Sequence, residues 1–283
     1  MKFITSRDNP TFKELVKLQE SSRQRRIAGL TLLDGIHLVE AYFALGKPEK
    51  LVVSETGHEN PEIRFLLEKA TKATHATKGG GASREAITIA IVLPDTLFRE
   101  VSTVKTATGL MAVVPIPSPE AIPVQKRGQA ESFRVLLEAI QDPGNVGSIL
   151  RSAAAAGASD VYLSNGCADA WSPKTLRAAM GAHFLVRIHE GANLAEVAGM
   201  FRGKVIASIL GAKKSLYQMR LTGAVAFVFG NEGAGLSDEL LQVAHERITI
   251  PMPGGAESLN AAAAAAVCFF ERVRQMEMER AGK

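Results

Sequence analysis

Cysteine is nearly absent from this chain. Of its 283 residues only Cys167 and Cys268 carry thiols, with no CxxC pair and no disulfide framework, which suits a reducing compartment. The six histidines are scattered, with no HxxxH or HxxE spacing on a predicted helix, so no metal site is expected. No apolar run approaches the ~18 residues of a membrane span, and the segment MKFITSRDNP lacks the apolar core of a secretory signal. The expectation is a cytoplasmic protein without a membrane partner. The net charge is small, +4, but residues 1–30 hold seven Lys or Arg against three acidic residues, leaving the remainder neutral. A run containing Arg23, Arg25 and Arg26 can neutralise phosphates at a nucleic-acid surface or simply form a solvated helix face. From the run alone both remain open.

A hydrophobic content of 46% is ample for a buried core. Asn9 and Pro10 read as a helix cap and first-turn proline, with Phe12, Leu15 and Val16 following at helical spacing. Helices and strands then alternate through KLVVSE, PEIRFLLEKA, AITIAIVL and GLMAVVPI, which predicts a first α/β body over residues 1–114. Gly79, Gly80 and Gly81 lie in a polar stretch with no GK[ST] after it, so a plain surface loop is expected there. Pro115, Pro117, Pro119 and Pro123 mark residues 115–131 as an extended linker. Residues 132–283 form the second body. Its strands FRVLLEAI, DVYLS, KVIASIL, AVAFVFG and RITI are nearly continuous apolar runs, the pattern of a parallel sheet buried on both faces, and helical stretches separate them.

Three polar segments follow strands in that second half: DPGNVGSILRSAAAAG from Asp142, FGNEGAGLS from Phe229 and IPMPGGAESLNAAAA from Ile250. In open α/β sheets ligands collect beyond the carboxyl ends of the strands, so these turns should converge on one site. A standard dinucleotide site is a poor fit. The first turn offers GNVG rather than GxGxxG, and the next strand ends in Ser164-Asn165 without a ribose-binding carboxylate. Asn145 reads as an N-cap for a helix starting at Val146; Glu232 reads as a turn residue able to cap amides or hold Arg151; Ser258 reads as a cap for the last helix. By composition alone Ile250 and Leu259 are core residues.

In order and spacing the three segments resemble the motifs of the SpoU (TrmH) class of SPOUT RNA methyltransferases. The resemblance rests on Asn145, Gly147 and Arg151; on Gly230, Asn231, Glu232, Gly233, Gly235 and Leu236; and on Ile250, Pro251, Met252, Glu257, Ser258, Leu259 and Asn260. It implies a parallel-sheet SPOUT domain with a deep trefoil knot, preceded by a smaller α/β substrate-binding domain. It also implies methyl transfer from S-adenosylmethionine to a ribose 2′-hydroxyl of RNA, with Asn145, Arg151, Glu232, Ser258 and Asn260 at the reacting centre. Ser208, Leu210, Gly230, Ile250 and Leu259 would hold the donor, and Arg23, Arg25 and Arg26 would bind RNA. Because an Arg guanidinium stays protonated, Arg151 fits a phosphate partner and a stabiliser of the developing 2′-oxyanion; the resemblance also permits a general base. A homodimer is implied, with the stripe of Phe269, Val273 and Met276 partly at its interface. Ribosomal RNA is the favoured substrate by analogy with members carrying the extra domain; transfer RNA, or a non-catalytic RNA-binding or assembly factor on this fold, are the alternatives.

Overall fold

The computed structural model describes residues 1–72, 89–104, 106–124 and 131–282; the expected glycine loop at residues 79–81 lies outside them. The chain divides into two compact units, one of residues 1–118 with 171–181, the other of residues 119–170 with 182–283.

In the first unit, Asn9 caps α1 (Pro10–Glu20) by accepting from the Thr11 amide, and Phe12, Leu15 and Leu18 turn inward. A short α2 (Ser22–Ala28) follows, capped by Ser21 and closed by Gly29 at φ 64°, a left-handed position that suits glycine. Five strands, β1 (Lys2–Phe3), β2 (Leu30–Asp34), β3 (Lys50–Ser54), β4 (Ile89–Leu93) and β5 (Leu110–Pro115), form a mixed sheet in the order β1-β4-β3-β5-β2. Between them run α3 (Ile36–Tyr42), α4 (Pro61–Lys72) and α5 (Asp95–Val101). Pro115 ends β5 and residues 119–121 make a single helical turn, so the proline-rich stretch begins and continues in ordered structure.

The second unit is a seven-stranded sheet with every neighbour parallel. Its strands are β6 (Phe133–Leu137), β7 (Asp160–Leu163), β8 (Arg187–His189), β9 (Lys204–Ser208), β10 (Lys214–Ser215), β11 (Val225–Phe229) and β12 (Glu246–Thr249), in the order β10-β12-β9-β11-β6-β7-β8. The helices are α6 (Pro143–Ala155), α8 (Leu194–Gly199), α9 (Asp238–Val243) and the long α10 (Ala261–Ala281). After β6 the chain passes through α6 to β7 on one side; after β11 it proceeds to β12 on the other. The carboxyl ends of β6 and β11 therefore flank a topological switch point, where crevices open in such sheets. All five residues of β11 are buried, and Phe269 of α10 packs edge-on against Phe133 and Phe229 at centroid distances of 5.4 and 5.6 Å.

Two expectations are corrected here. Residues 132–283 are not one uninterrupted body, since α7 (Pro173–Ala179) packs on β2 and the Trp171 carbonyl accepts from the Thr31 hydroxyl at 2.7 Å. Helical periodicity identifies α7 but carries no information on which core receives it. Of the stripe expected partly at an interface, Phe269 and Met276 are instead buried within their own unit and Val273 is half-buried, with Phe269 held by the ring cluster on the sheet.

Asp160, at the start of β7, accepts from Arg187 Nη2 at 2.8 Å and Ser159 Oγ at 2.7 Å, and pairs with His189 Nε2 at 3.0 Å. Burial opposes its ionisation, but the hydrogen bonds from His189, Arg187 and Ser159 prevail and hold its carboxyl down at about 2. A depressed carboxylate stabilises the fold fully above its unfolded pKa of about 4 and loses that contribution as pH falls through the folded value. Urea unfolding should accordingly reveal on the order of 2 kcal/mol of acid-sensitive stability between about pH 4 and 2 that Asp160→Asn lacks; parallel pH profiles for both proteins would refute this role.

Candidate functional site

Asp142, not Asn145, caps α6. Its carboxylate accepts from the Asn145 amide at 2.7 Å, with Pro143 in the first turn. This corrects the expected cap and has a chemical consequence, since the Asn145 carboxamide is left to reach across the crevice. Asn145 Nδ2 donates to Glu232 Oε1 at 2.6 Å, and Asn145 Oδ1 accepts from Asn260 Nδ2 at 2.8 Å. Asn260 is in turn the cap of α10, its Oδ1 accepting from the Ala262 and Ala263 amides at 2.9 and 3.3 Å. Ser258 is therefore not the cap; it lies two residues earlier, on the wall of a cleft.

That cleft, about 400 Å³, opens at the carboxyl ends of β9, β11 and β12 and the start of α10, a size within the range of small-molecule sites. Ser208, Leu210, Gly230, Ile250 and Leu259 all line it, together with Glu232, Ser258 and Asn260. Neither Ile250 nor Leu259 is plain core: Ile250 is buried against the cleft, and Leu259 is 38% exposed at its mouth. Gly230 is constrained sterically. A Cβ there would lie 2.3 Å from the Gly235 carbonyl oxygen, across the narrow turn that Asn231 and Gly235 close with mutual backbone hydrogen bonds. Arg151 stands apart. It is exposed on α6 outside the cleft lining, and Glu232 bonds Asn145 rather than Arg151; six residues of helix separate Arg151 from Asn145 by roughly 9 Å and turn it to another face.

The thiols offer no nucleophile. Burial pushes the Cys268 thiol up to about 12 and raises that of Cys167, whose Sγ donates to the Leu137 carbonyl at 3.2 Å. Among the described residues no cluster of three or more His, Cys, Asp or Glu could hold a metal ion, and no helix is long and apolar enough to cross a membrane.

Arg25 departs from the expected RNA-facing set. It is buried, with Nη1 donating to the Leu18 and Gln19 carbonyls at 2.6 and 3.2 Å. Those carbonyls belong to the last turn of α1, where a cation is favourable. Arg23 and Arg26 are exposed on α2. Sequence reasoning also passed over Asp142 as the α6 cap and Asn231 and Glu138 as loop fasteners. The Asp-Pro pair ahead of Asn145 was the available signal for the cap; nothing local signals partners 92 and 99 residues distant.

The SpoU rRNA methylase family model matches residues 132–270. An uncharacterised tRNA/rRNA methyltransferase of Synechocystis is 30% identical, aligned over 96% of this chain and 93% of its own. The Bacillus subtilis 23S rRNA (guanosine(2553)-2′-O)-methyltransferase is 31% identical over 95% of this chain and 98% of its own. This chain belongs to the SpoU family. Its fold agrees with the crystal structure of an S-adenosylmethionine-bound rRNA methyltransferase from Sinorhizobium meliloti, with a TM-score of 0.79 and 26% identity over 96% of this chain and 97% of that one. The SpoU motifs recognised in the sequence are the segments that supply the Asn145–Glu232–Asn260 cluster and most of the cleft wall.

The burial of Arg25 separates it from its neighbours in a stability experiment. Arg25→Ala should lower the unfolding free energy by about 1.5–3 kcal/mol through loss of charged hydrogen bonds, whereas Arg23→Ala and Arg26→Ala should stay within about 0.5 kcal/mol. Equal, small effects in denaturant titrations would return Arg25 to the surface.

Proposed function

We propose that this protein transfers a methyl group from S-adenosylmethionine to a ribose 2′-hydroxyl of ribosomal RNA. The observation that carries the reading is the hydrogen-bonded chain from Asn260 through Asn145 to Glu232 at the rim of a cleft lined by every residue expected to hold the donor. The donor fits the chemistry of the cleft: apolar Leu210, Ile250 and Leu259 can enclose an adenine, and Gly230 lets backbone approach it closely. Bound there, S-adenosylmethionine supplies an electrophilic methyl on a sulfonium. The protein's task is then to orient the ribose hydroxyl in line with it and to help that hydroxyl lose its proton. Glu232 is the carboxylate among the lining residues, placed to accept a hydrogen bond from the hydroxyl while Asn145 fixes its other contact. Ser258 and Asn260 supply further polar contacts to the sugar. Arg151 pairs with a neighbouring phosphate and stabilises negative charge developing on the 2′-oxygen.

The same reading includes a knotted, dimeric, cytoplasmic protein. In support of the knot, β11 is inserted between β9 and β6, β12 lies outside β9, and α10 packs back on α6. In support of the dimer, α10 presents Phe270 and Met278 to solvent, 49% and 62% exposed, so a second copy can cover a face that its own sheet does not. Arg151, outside its own cleft, is then free to address RNA held by both copies. The first unit, with Arg23 and Arg26 exposed, contributes phosphate contacts.

Arg151→Ala should abolish methyl transfer to ribosomal RNA while leaving donor binding by calorimetry unchanged, because its partner is RNA; near-normal turnover would reject the assignment. Replacing Arg23 and Arg26 together should flatten the plot of log affinity against log salt by about 1 to 2, and an unaltered slope would make α2 a solvated face only.

A further inference from the structure

We infer that Asn231 is a positioning residue that sets the place of the Glu232 carboxylate; the inference rests on the methyl-transfer reading of this cleft. Asn231 immediately precedes Glu232 in the turn after β11, and its polar groups are engaged on every side. Its Oδ1 accepts from the Gly233 and Ala234 amides, each at 2.9 Å, wrapping the turn around Glu232. Its backbone amide donates to the Gly235 carbonyl at 3.0 Å, and its carbonyl accepts from the Gly235 amide at 2.9 Å. Nδ2 leaves the turn altogether and donates to the Ala139 carbonyl at 2.8 Å, on the loop that follows β6. The side-chain oxygen is thus spent on the turn, and the side-chain nitrogen is directed at the neighbouring loop.

The receiving loop is itself held. Ala139 has φ 52°, a left-handed conformation uncommon for alanine, and its amide donates to Ser164 Oγ at 2.9 Å, which anchors the residue whose carbonyl Asn231 uses. On the other flank of the turn, Glu138 accepts from the Ser237 amide at 2.8 Å. The turn bearing Glu232 is thus fastened at both ends to the loop leading into α6, the helix that carries Asn145. Glu232 itself is exposed, with its contact to Asn145 at 2.6 Å. Its location is determined by the turn more than by its own packing.

Asn231→Asp tests this directly. It retains an oxygen for the Gly233 and Ala234 amides, removes the donor to Ala139 and sets a carboxylate against that carbonyl. The expected result is a fall in kcat of about 10- to 100-fold, as for a misplacement near 1 Å, with the donor KM changed less than about threefold and the melting temperature held within about 2 °C. In a Glu232→Gln background the same substitution should lower kcat by less than about twofold further, because residues acting through one group are not additive. Multiplying losses in the double variant would overturn the inference. So would a raised donor KM at unchanged kcat, the mark of a binding residue, or a kcat loss matched by a collapse in melting temperature. Asn231→Ser, which keeps a shorter acceptor and also lacks the donor, is read in the same way should the aspartate not fold. The single variant Glu232→Gln separates the two levels: normal turnover by it would remove the catalytic reading of Glu232, whereas impaired turnover with additive losses would remove only the role of Asn231.

Discussion

A carboxamide donating to a carboxylate across the switch point of a parallel sheet is the contact on which the site depends. Asn145 reaches Glu232 at 2.6 Å and is held in turn by Asn260 at 2.8 Å. These three residues come from segments following β6, β11 and β12, which are distant in sequence and end on the same side of the sheet. The contact is possible because Asp142 takes over the capping of α6 and frees the Asn145 side chain. It is directed because the Asn145 carboxamide, with a donor at one end and an acceptor at the other, can join an acceptor and a donor that could not join each other as well.

Much of the second unit was legible in the sequence, for a physical reason. Strands buried on both faces must be largely apolar: VAFVF is so throughout, and FRVLL departs only at the half-buried Arg134; the helices between them were legible too, although their caps proved to be Asp142 and Asn260 rather than Asn145 and Ser258. Gly230, Ile250 and Leu259 were legible through their motifs and Ser208 and Leu210 through their place at the end of a strand, and all five line one cleft. What stayed hidden was anything set by distant packing. Periodicity gave α7 its helical form but could not assign it to the sheet of the first unit. A run of arginines looks uniformly solvated until the last turn of α1 is seen to leave carbonyls that Arg25 can reach and Arg23 and Arg26 cannot. The stripe on α10 had the spacing of an interface, yet Phe269 faces three phenylalanines of its own sheet.

The second unit manages polarity differently at the two ends of its sheet. Where β7 and β8 pair, Asp160 is neutralised by Arg187 and hydrogen-bonded to His189 in a half-enclosed cluster outside the cleft lining, and its use is to hold an edge strand. At the opposite, carboxyl ends the charged group Glu232 is left in solvent with one amide contact. Satisfied charge builds the scaffold; incompletely satisfied charge is kept where a substrate can complete it.

The double duty of Asn260 also orders events in time. It begins the final helix and closes the polar chain to a residue 115 positions earlier, so during translation at about 5–20 residues per second at least ~6 s pass between the emergence of Asn145 and that of its partner. Until then the first wall of the pocket exists without its second. A nascent chain therefore completes every strand of this sheet before the polar chain beyond their carboxyl ends can close, and the start of α10 is the segment that closes it.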